Sequence, residues 1–269
     1  MLSDNPTALN RRVTMEKFNE QLRAIGLNGV ADGLDDIIAT ATKKRLGPRQ
    51  LIEYLTEIET KERSRKSVER RMSQSRIGRF KTMADYDWAW AKKIDREQVE
   101  AALNLEFLEK NKNVVLVAPQ GLGKTMLARN ICHQTVMRGH SALFITASQL
   151  LLDLSAQDSA RGLERRLRHY QRPSVLCIDE VGYLSYDNRN ADLLFQIVSR
   201  RYETKSLILT TNLAFSDWPS IFPNAACTTA LIDRVVHHSE ILVIEGESYR
   251  RREAEDEKKK SKLKLPTKV

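Results

Sequence analysis

The sequence predicts an α/β protein: a three-layer core around a parallel sheet, with a small all-helical domain in front of it. Three observations carry this reading. Beyond about residue 111, short apolar runs of four or five residues alternate with longer helical segments, the pattern of strands buried on both faces and joined by helices. The run Val114-Val-Leu-Val117 leads directly into Ala118-Pro-Gln-Gly-Leu-Gly-Lys-Thr125, so a buried strand ends in a glycine loop. The first 75 or so residues show apolar positions at helical spacing and no strand pattern, and a chain of 269 residues has room for both units.

Met15 to Ala24 and Asn28 to Thr40 read as two short helices parted by Gly26. Gly47-Pro48 opens a third, with proline at a tolerated first-turn position and Leu51, Leu55 and Ile58 on one apolar face. Past Thr60 that stripe fades and arginines take over up to Arg79. Phe80 to Lys93 is aromatic-rich (Phe80, Tyr86, Trp88, Trp90) and carries few helix signals. Asp95 with Gln98 three residues later forms a capping box for a helix running to about Glu109. The expected strands are Val114–Val117, Ala142–Thr146, Val175–Ile178, Leu207–Thr211 and Ile241–Ile244. The expected helices between them are Thr125–Arg138, Gln149–Arg172 with a break, and Ala191–Tyr202. The domains then divide as 1–75, helical and partner-binding; 76–110, a basic and aromatic linker with a helix; 111–252, the α/β core; and 253–269, a charged Lys-rich tail.

Forty-four basic against 35 acidic side chains give a net charge of +9, and the excess is clustered. Lys61–Lys81 holds nine basic and two acidic residues, and Arg250–Lys268 nine against four. Such clusters suit a polyanion, nucleic acid being the commonest. Cys132, Cys177 and Cys227 lie far apart with no C-x-x-C spacing, and the first two read as core thiols of a reducing cytosol. His237-His238 beside Cys227 has the wrong spacing for a metal site. No leader segment and no long apolar run is seen, so a cytoplasmic protein without membrane association is expected.

Function should gather at the C-terminal ends of the strands, and the chemistry-bearing motifs fall there. In the loop Ala118, Pro119, Gln120, Gly121, Leu122, Gly123, Lys124, Thr125 and on to Met126, the glycines allow a tight turn that aims backbone N–H groups at an anion. The following helix N-terminus favours phosphate, Lys124 would reach the β/γ-phosphates, and Thr125 would complete a Mg²⁺ site. Ala118 stands where the strict pattern has its first glycine, which is tolerable if φ stays negative there. Val175-Leu-Cys-Ile178 runs into Asp179-Glu180, four apolar residues and two carboxylates. Asp179 would hold Mg²⁺ and Glu180 would orient and deprotonate an attacking water, which points to ATP hydrolysis. Asn212, closing Thr210-Thr-Asn212 after the next strand, is a candidate for holding that water and sensing the γ-phosphate.

This ordered set resembles the AAA+ ATPases, and more closely the IstB-like helper ATPases of bacterial insertion sequences. The resemblance runs from about Met15 to Arg251. It rests on Leu116-Val-Ala-Pro-Gln-Gly-Leu-Gly-Lys-Thr-Met-Leu-Ala128, Ile178-Asp-Glu-Val-Gly-Tyr-Leu184 and Asp192-Leu-Leu-Phe-Gln-Ile-Val-Ser-Arg-Arg-Tyr202. It rests further on Thr210-Thr-Asn-Leu-Ala-Phe-Ser-Asp-Trp218, Leu231-Ile-Asp-Arg234 and Gly246-Glu-Ser-Tyr-Arg250. The chain departs from the IstB-like pattern at Ala118 and Gln120, where Gly and Pro are usual. The resemblance implies an arginine finger at Arg234 reaching a neighbouring subunit's ATP, with Arg200 and Arg201 as competitors, and a γ-phosphate sensor at Arg250. It also implies a homo-oligomer. The chain ends soon after Arg250, so the helical lid of typical AAA+ proteins is not expected. In initiator-type relatives a helix inserted at the position of Arg161–Arg172 lines a DNA groove, which makes Arg165, Arg166 and Arg168 the expected phosphate contacts. The implied function is an ATP-dependent helper that assembles on double-stranded DNA and activates or targets the transposase of its own element. A DnaC-type helicase loader is the runner-up, and a DNA scaffold that binds nucleotide without turnover is the third reading.

Overall fold

A computed structural model describes residues 16–183 and 186–249. The chain forms two compact units that divide between Arg70 and Arg71.

In the first unit, helix α1 (16–24) ends at Gly26, whose left-handed φ of +83° lets Leu27 N–H bond back to the Leu22 carbonyl at 2.8 Å. Helices α2 (Asn28–Asp32), α3 (Leu34–Lys44) and α4 (Pro48–Ser75) follow. Leu22, Val30, Ala31, Leu34 and Ile37 are buried together; of the apolar face expected on α4, Leu55 and Ile58 pack on them, joined by Tyr54. The buried Glu59 accepts from the Gly29 N–H at 2.8 Å and from Arg63 Nε at 2.9 Å. Burial raises the Glu59 carboxyl, but Arg63 and the backbone donors outweigh it and hold the group below its ordinary pKa. The arginine-rich stretch continues α4 without a break, and Arg65 is tied to Glu62 and Glu69 on its own helix.

The second unit is built on a five-stranded sheet in the order β2-β3-β4-β1-β5, with every pairing parallel. Its strands are β1 (Asn113–Val117), β2 (Ala142–Thr146), β3 (Val175–Val181), β4 (Ser206–Thr211) and β5 (Ser239–Val243). Strand residues alternate between two layers, as the two-residue period requires. Val115, Leu143, Ile145, Leu176, Ile178, Leu207 and Leu209 face a core closed by α8 (Ala147–Ser155), α9 (Ala160–Gln171), α10 (Asn188–Arg201) and α11 (Ala225–Val236). On the other side α7 (Lys124–Met137) packs on the sheet, and α5 (Arg96–Leu103) packs on α7. The result is the three-layer αβα core that was expected. Cys132 and Cys177 are fully buried within it, and burial pushes the Cys177 thiol well up.

Local departures from the sequence reading have local causes. Asp95 caps α5 through the Gln98 N–H, but Leu105 takes a left-handed φ of +65° and splits the expected helix into α5 and α6 (Glu106–Glu109). Strand β3 runs three residues past Ile178 through a bulge. Helix α11 had no apolar-period signal strong enough to mark it, since Thr228, Thr229 and Cys227 are weak helix formers; Asn224 starts it by accepting from the Ala226 and Cys227 N–H groups. No helix among the described residues is long and apolar enough to cross a membrane.

Candidate nucleotide site

The C-terminal ends of β3, β4 and β1 lie side by side, and the motifs at those ends converge there. The loop after β1 needs its glycines twice over. Gly121 and Gly123 have φ of +81° and +85°, where an L side chain is strained. A Cβ on Gly121 would also stand 2.2 Å from Ser248 Oγ, and one on Gly123 2.9 Å from Tyr86 Cε2. Ala118 is buried, donates its N–H to the Thr211 carbonyl at 3.1 Å and is not in the left-handed region, which is why alanine serves there. Pro119 and Gln120 are exposed. Gly123 is the N-cap of α7 and offers no side chain to the first-turn N–H groups, the open arrangement that suits an anion. Lys124, 7% exposed, donates from Nζ to the carbonyls of Ala118 at 2.6 Å and Pro119 at 2.8 Å.

Asp179 is buried at the end of β3 and collects two hydroxyls. Thr125 Oγ1 lies 3.1 and 3.0 Å from its two oxygens, and Thr210 Oγ1 donates to Oδ1 at 2.5 Å. The same Thr210 oxygen accepts from the Glu180 N–H at 2.9 Å. The bulge between Ile178 and Val181 turns Glu180 to a left-handed φ of +65° with its side chain exposed. That conformation costs on the order of 1–2 kcal/mol for a non-glycine residue, and the Thr210 bond holds it. Thr210 therefore bridges the two acids, a role sequence reasoning missed because it looked to the last polar residue of the run. Asn212 is half-buried, and its Oδ1 has no hydrogen-bond partner and stands 3.2 Å from where a Cβ on Gly182 would be. Thr210, and not Asn212, lines the cavity.

That cavity has a volume of about 280 Å³ and is walled by residues 121–126, by Glu180 and by aromatic side chains from the segment 80–93. What read as a linker is folded onto the loop. Arg129 and Asn130 of α7 donate to the carbonyls of Arg79 and Lys81, both at 2.9 Å, and Tyr86 packs on Gly123. Burial, helped by Asp87, pushes the Tyr86 phenol up to about 12, so it stays neutral. The stretch after β5 crosses the loop from the other side. Lys93 and Glu245 pair as an antiparallel bridge, Trp90 Nε1 donates to the Glu247 carbonyl at 2.7 Å, and Tyr249 N–H to that of Gly121 at 3.0 Å. Trp90 and Tyr249 meet edge to face, their centroids 5.9 Å apart. The aromatic density of 80–93 was the signal in the sequence; its destination was not.

The arginines separate by environment. Arg234 on α11 donates to Ser199 Oγ and lies over the Phe195 ring at 4.4 Å. Arg200 is paired with Glu164 at 2.7 Å. Arg201 is fully buried and donates to the five carbonyls of Tyr170, Gln171, Pro173, Ser174 and Ser206 at 2.7–3.1 Å. Burial pushes Arg201 down to about 9, so it is still a cation near neutral pH, and it ties the β3 and β4 entries together. Arg201 is thereby removed as a competing finger: a cation committed to five internal acceptors cannot reach another subunit. Arg250 lies outside the described residues. On α9, Arg165 and Arg168 are exposed, whereas Arg166 is held by Asp153 and stacks 5.5 Å from the centre of the Tyr170 ring.

A glycine loop after β1, a carboxylate pair near the end of β3 and this parallel strand order define a P-loop nucleotide-binding fold. The chain belongs to the IstB-like ATP binding protein family, whose model matches residues 20–257. It is 33% identical over 247 residues to the protein named for ATP binding in insertion sequence IS5376 of Geobacillus stearothermophilus, covering 92% of this chain and 98% of that one. It is 34% identical over 239 residues to the corresponding protein of insertion sequence IS21 of Pseudomonas aeruginosa, covering 89% and 90%. Among solved structures, the crystal structure of DnaI aligns with a TM-score of 0.53 at 19% identity, covering 64% of this chain and 91% of that one, a likeness of fold.

Proposed function

We propose that this chain is a DNA-stimulated ATPase that oligomerises on double-stranded DNA in the cytoplasm and activates or targets the transposase of its own insertion sequence. The observation that carries the ATPase reading is the linked set Thr125–Asp179–Thr210–Glu180 beside Lys124. Lys124 exchanges its two loop carbonyls for the β/γ-phosphates, a charge-assisted contact stronger than the neutral ones it leaves. Thr125 and the buried Asp179 are a hard oxygen set that fits Mg²⁺, which when bound neutralises phosphate charge. Glu180, exposed into the cavity and fixed at its backbone by Thr210, orients the attacking water and takes its proton. Tyr86, Trp90 and Tyr249 offer apolar ring surface for the base. Asn212 and Arg250 remain proposed for contact with the γ-phosphate side.

The insertion-sequence context of the curated relatives supports the transposition client over a helicase loader; a replication-gene neighbourhood instead of an adjacent transposase frame would reverse that choice. DNA contact is supported by α9. Its exposed Arg161, Arg165, Arg168 and Arg172 recur at helical spacing on one stripe, while Leu167 and Tyr170 face inward. Arg234 is proposed as the finger in trans, leaving Phe195 and Ser199 when a neighbour docks. The test mixes two variants, Arg234→Ala with its own site intact and Glu180→Gln with its finger intact. An arginine finger is worth about 10³-fold or more in rate, so mixing two nearly inactive proteins should restore ATPase activity that depends on DNA and on protein concentration. No recovery from variants that still assemble would eliminate Arg234 and leave Arg200.

A further inference from the structure

The turn after α10 and the junction of α11 with β5 meet at the N-terminal ends of β4 and β5, the end of the sheet opposite the nucleotide cavity. Glu203 lies just before β4 and His238 just before β5, both strands being parallel. His238 Nε2 is 3.0 Å from Glu203 Oε1, and the rings of His237 and His238 are 4.1 Å apart at 62°. One ligand atom from each of Glu203, His237 and His238 lies within 4.8 Å of the others. Cys227, the neighbour that sequence spacing offered, is elsewhere and turns its thiol to Asp192.

We propose that Glu203, His237 and His238 bind a divalent transition-metal cation of the zinc class. Two imidazoles and one carboxylate select borderline metals over Mg²⁺ or Ca²⁺, which prefer oxygen alone. A tetrahedral shell with bonds of 2.0–2.1 Å puts ligand atoms roughly 3.3 Å apart, against a present spread of no more than 4.8 Å. The backbones that carry the ligands are already anchored. Glu203 has a left-handed φ of +57° and its carbonyl accepts from Asn111 Nδ2, while the His238 carbonyl accepts from the Asn113 N–H at 2.7 Å. Tyr202 OH sits 2.7 Å from His237 Nδ1. As an acceptor it would fix the tautomer that leaves Nε2 for the metal, the kind of outer support that ligating histidines have. Three protein ligands leave a fourth position for water.

The site would clamp the two helices that hold Arg234. Ser199 and Glu203 are four residues apart at the end of α10, Arg234 and His238 four apart at the end of α11, and each residue of the first pair meets one of the second. The metal therefore adds a second rung beside the Arg234–Ser199 contact. The inference stands on this geometry and is independent of the ATPase reading.

The experiment uses the full chain, untagged and stripped with chelator, titrated with Zn²⁺ against a chromophoric competitor. One equivalent should bind, and excess Mg²⁺ should not displace it. His237→Ala, His238→Ala and Glu203→Gln should each weaken Zn²⁺ binding ~10-fold or more, and Tyr202→Phe by ~10-fold. Each variant is checked for unchanged circular dichroism and ATP affinity, which a site at the far end of the sheet should leave alone. Binding unchanged in the His237→Ala/His238→Ala double variant would place the metal elsewhere, and absence of binding to the wild type would equally overturn the proposal.

Discussion

Replacing Thr210 with valine keeps the shape of a buried side chain and removes one oxygen that makes two bonds. The bond donated to Asp179 is charge-assisted, worth ~1.5–3 kcal/mol, and its loss strands the Glu180 N–H at ~1–3 kcal/mol more. Glu180 sits in a left-handed conformation that this bond stabilises. If only the Asp179 part falls on the catalytic geometry, kcat drops roughly 10- to 100-fold at about 1.4 kcal/mol per decade. ATP affinity should change little, since Lys124 and the loop N–H groups are untouched. For a unit of this size each kcal/mol is worth roughly 2–4 °C, so the melting temperature should fall by ~5 °C or more. Steady-state DNA-stimulated ATPase activity, a fluorescent-nucleotide titration and thermal unfolding measure the three quantities. Thr210→Ser keeps the oxygen and should stay near wild type in kcat. A valine variant with wild-type kcat, or a serine variant as impaired as valine, would refute the bridging role.

Lys124→Ala should abolish ATP binding and ATP-dependent assembly together; normal ATP affinity would remove the loop from phosphate binding. Replacing Arg165 and Arg168 with alanine should flatten the salt dependence of DNA binding by about one unit per lost phosphate contact. Arg166→Ala, which breaks the pair with Asp153, should lower the melting temperature and leave that slope unchanged; a flattened slope would return Arg166 to the DNA surface. Arg201→Met strands five carbonyls and should cost ~3–5 kcal/mol, the range for breaking a buried charge network. Arg200→Met, at a partly exposed ion pair, should lower the melting temperature far less.

The sequence by itself determined what depends on near neighbours. The glycine loop, the helix N-terminus behind it and the acids ending β3 are contiguous, so residue type and order are enough to read them. The five strands and the helices α7 to α10 followed for the same reason, from periodicities that one segment displays alone, whereas α11 did not. The tertiary structure decided what depends on residues distant in the chain. Thr210 matters because β4 lies between β1 and β3, a strand order invisible in any one segment. Residues 80–93 and 245–249 wall the cavity because they pair with each other across some 150 intervening positions. Arg200 and Arg201 are adjacent in sequence, yet successive residues on a helix point about 100° apart. One reaches the surface and Glu164, and the other is buried against five carbonyls. Packing direction, which no local pattern records, made that difference.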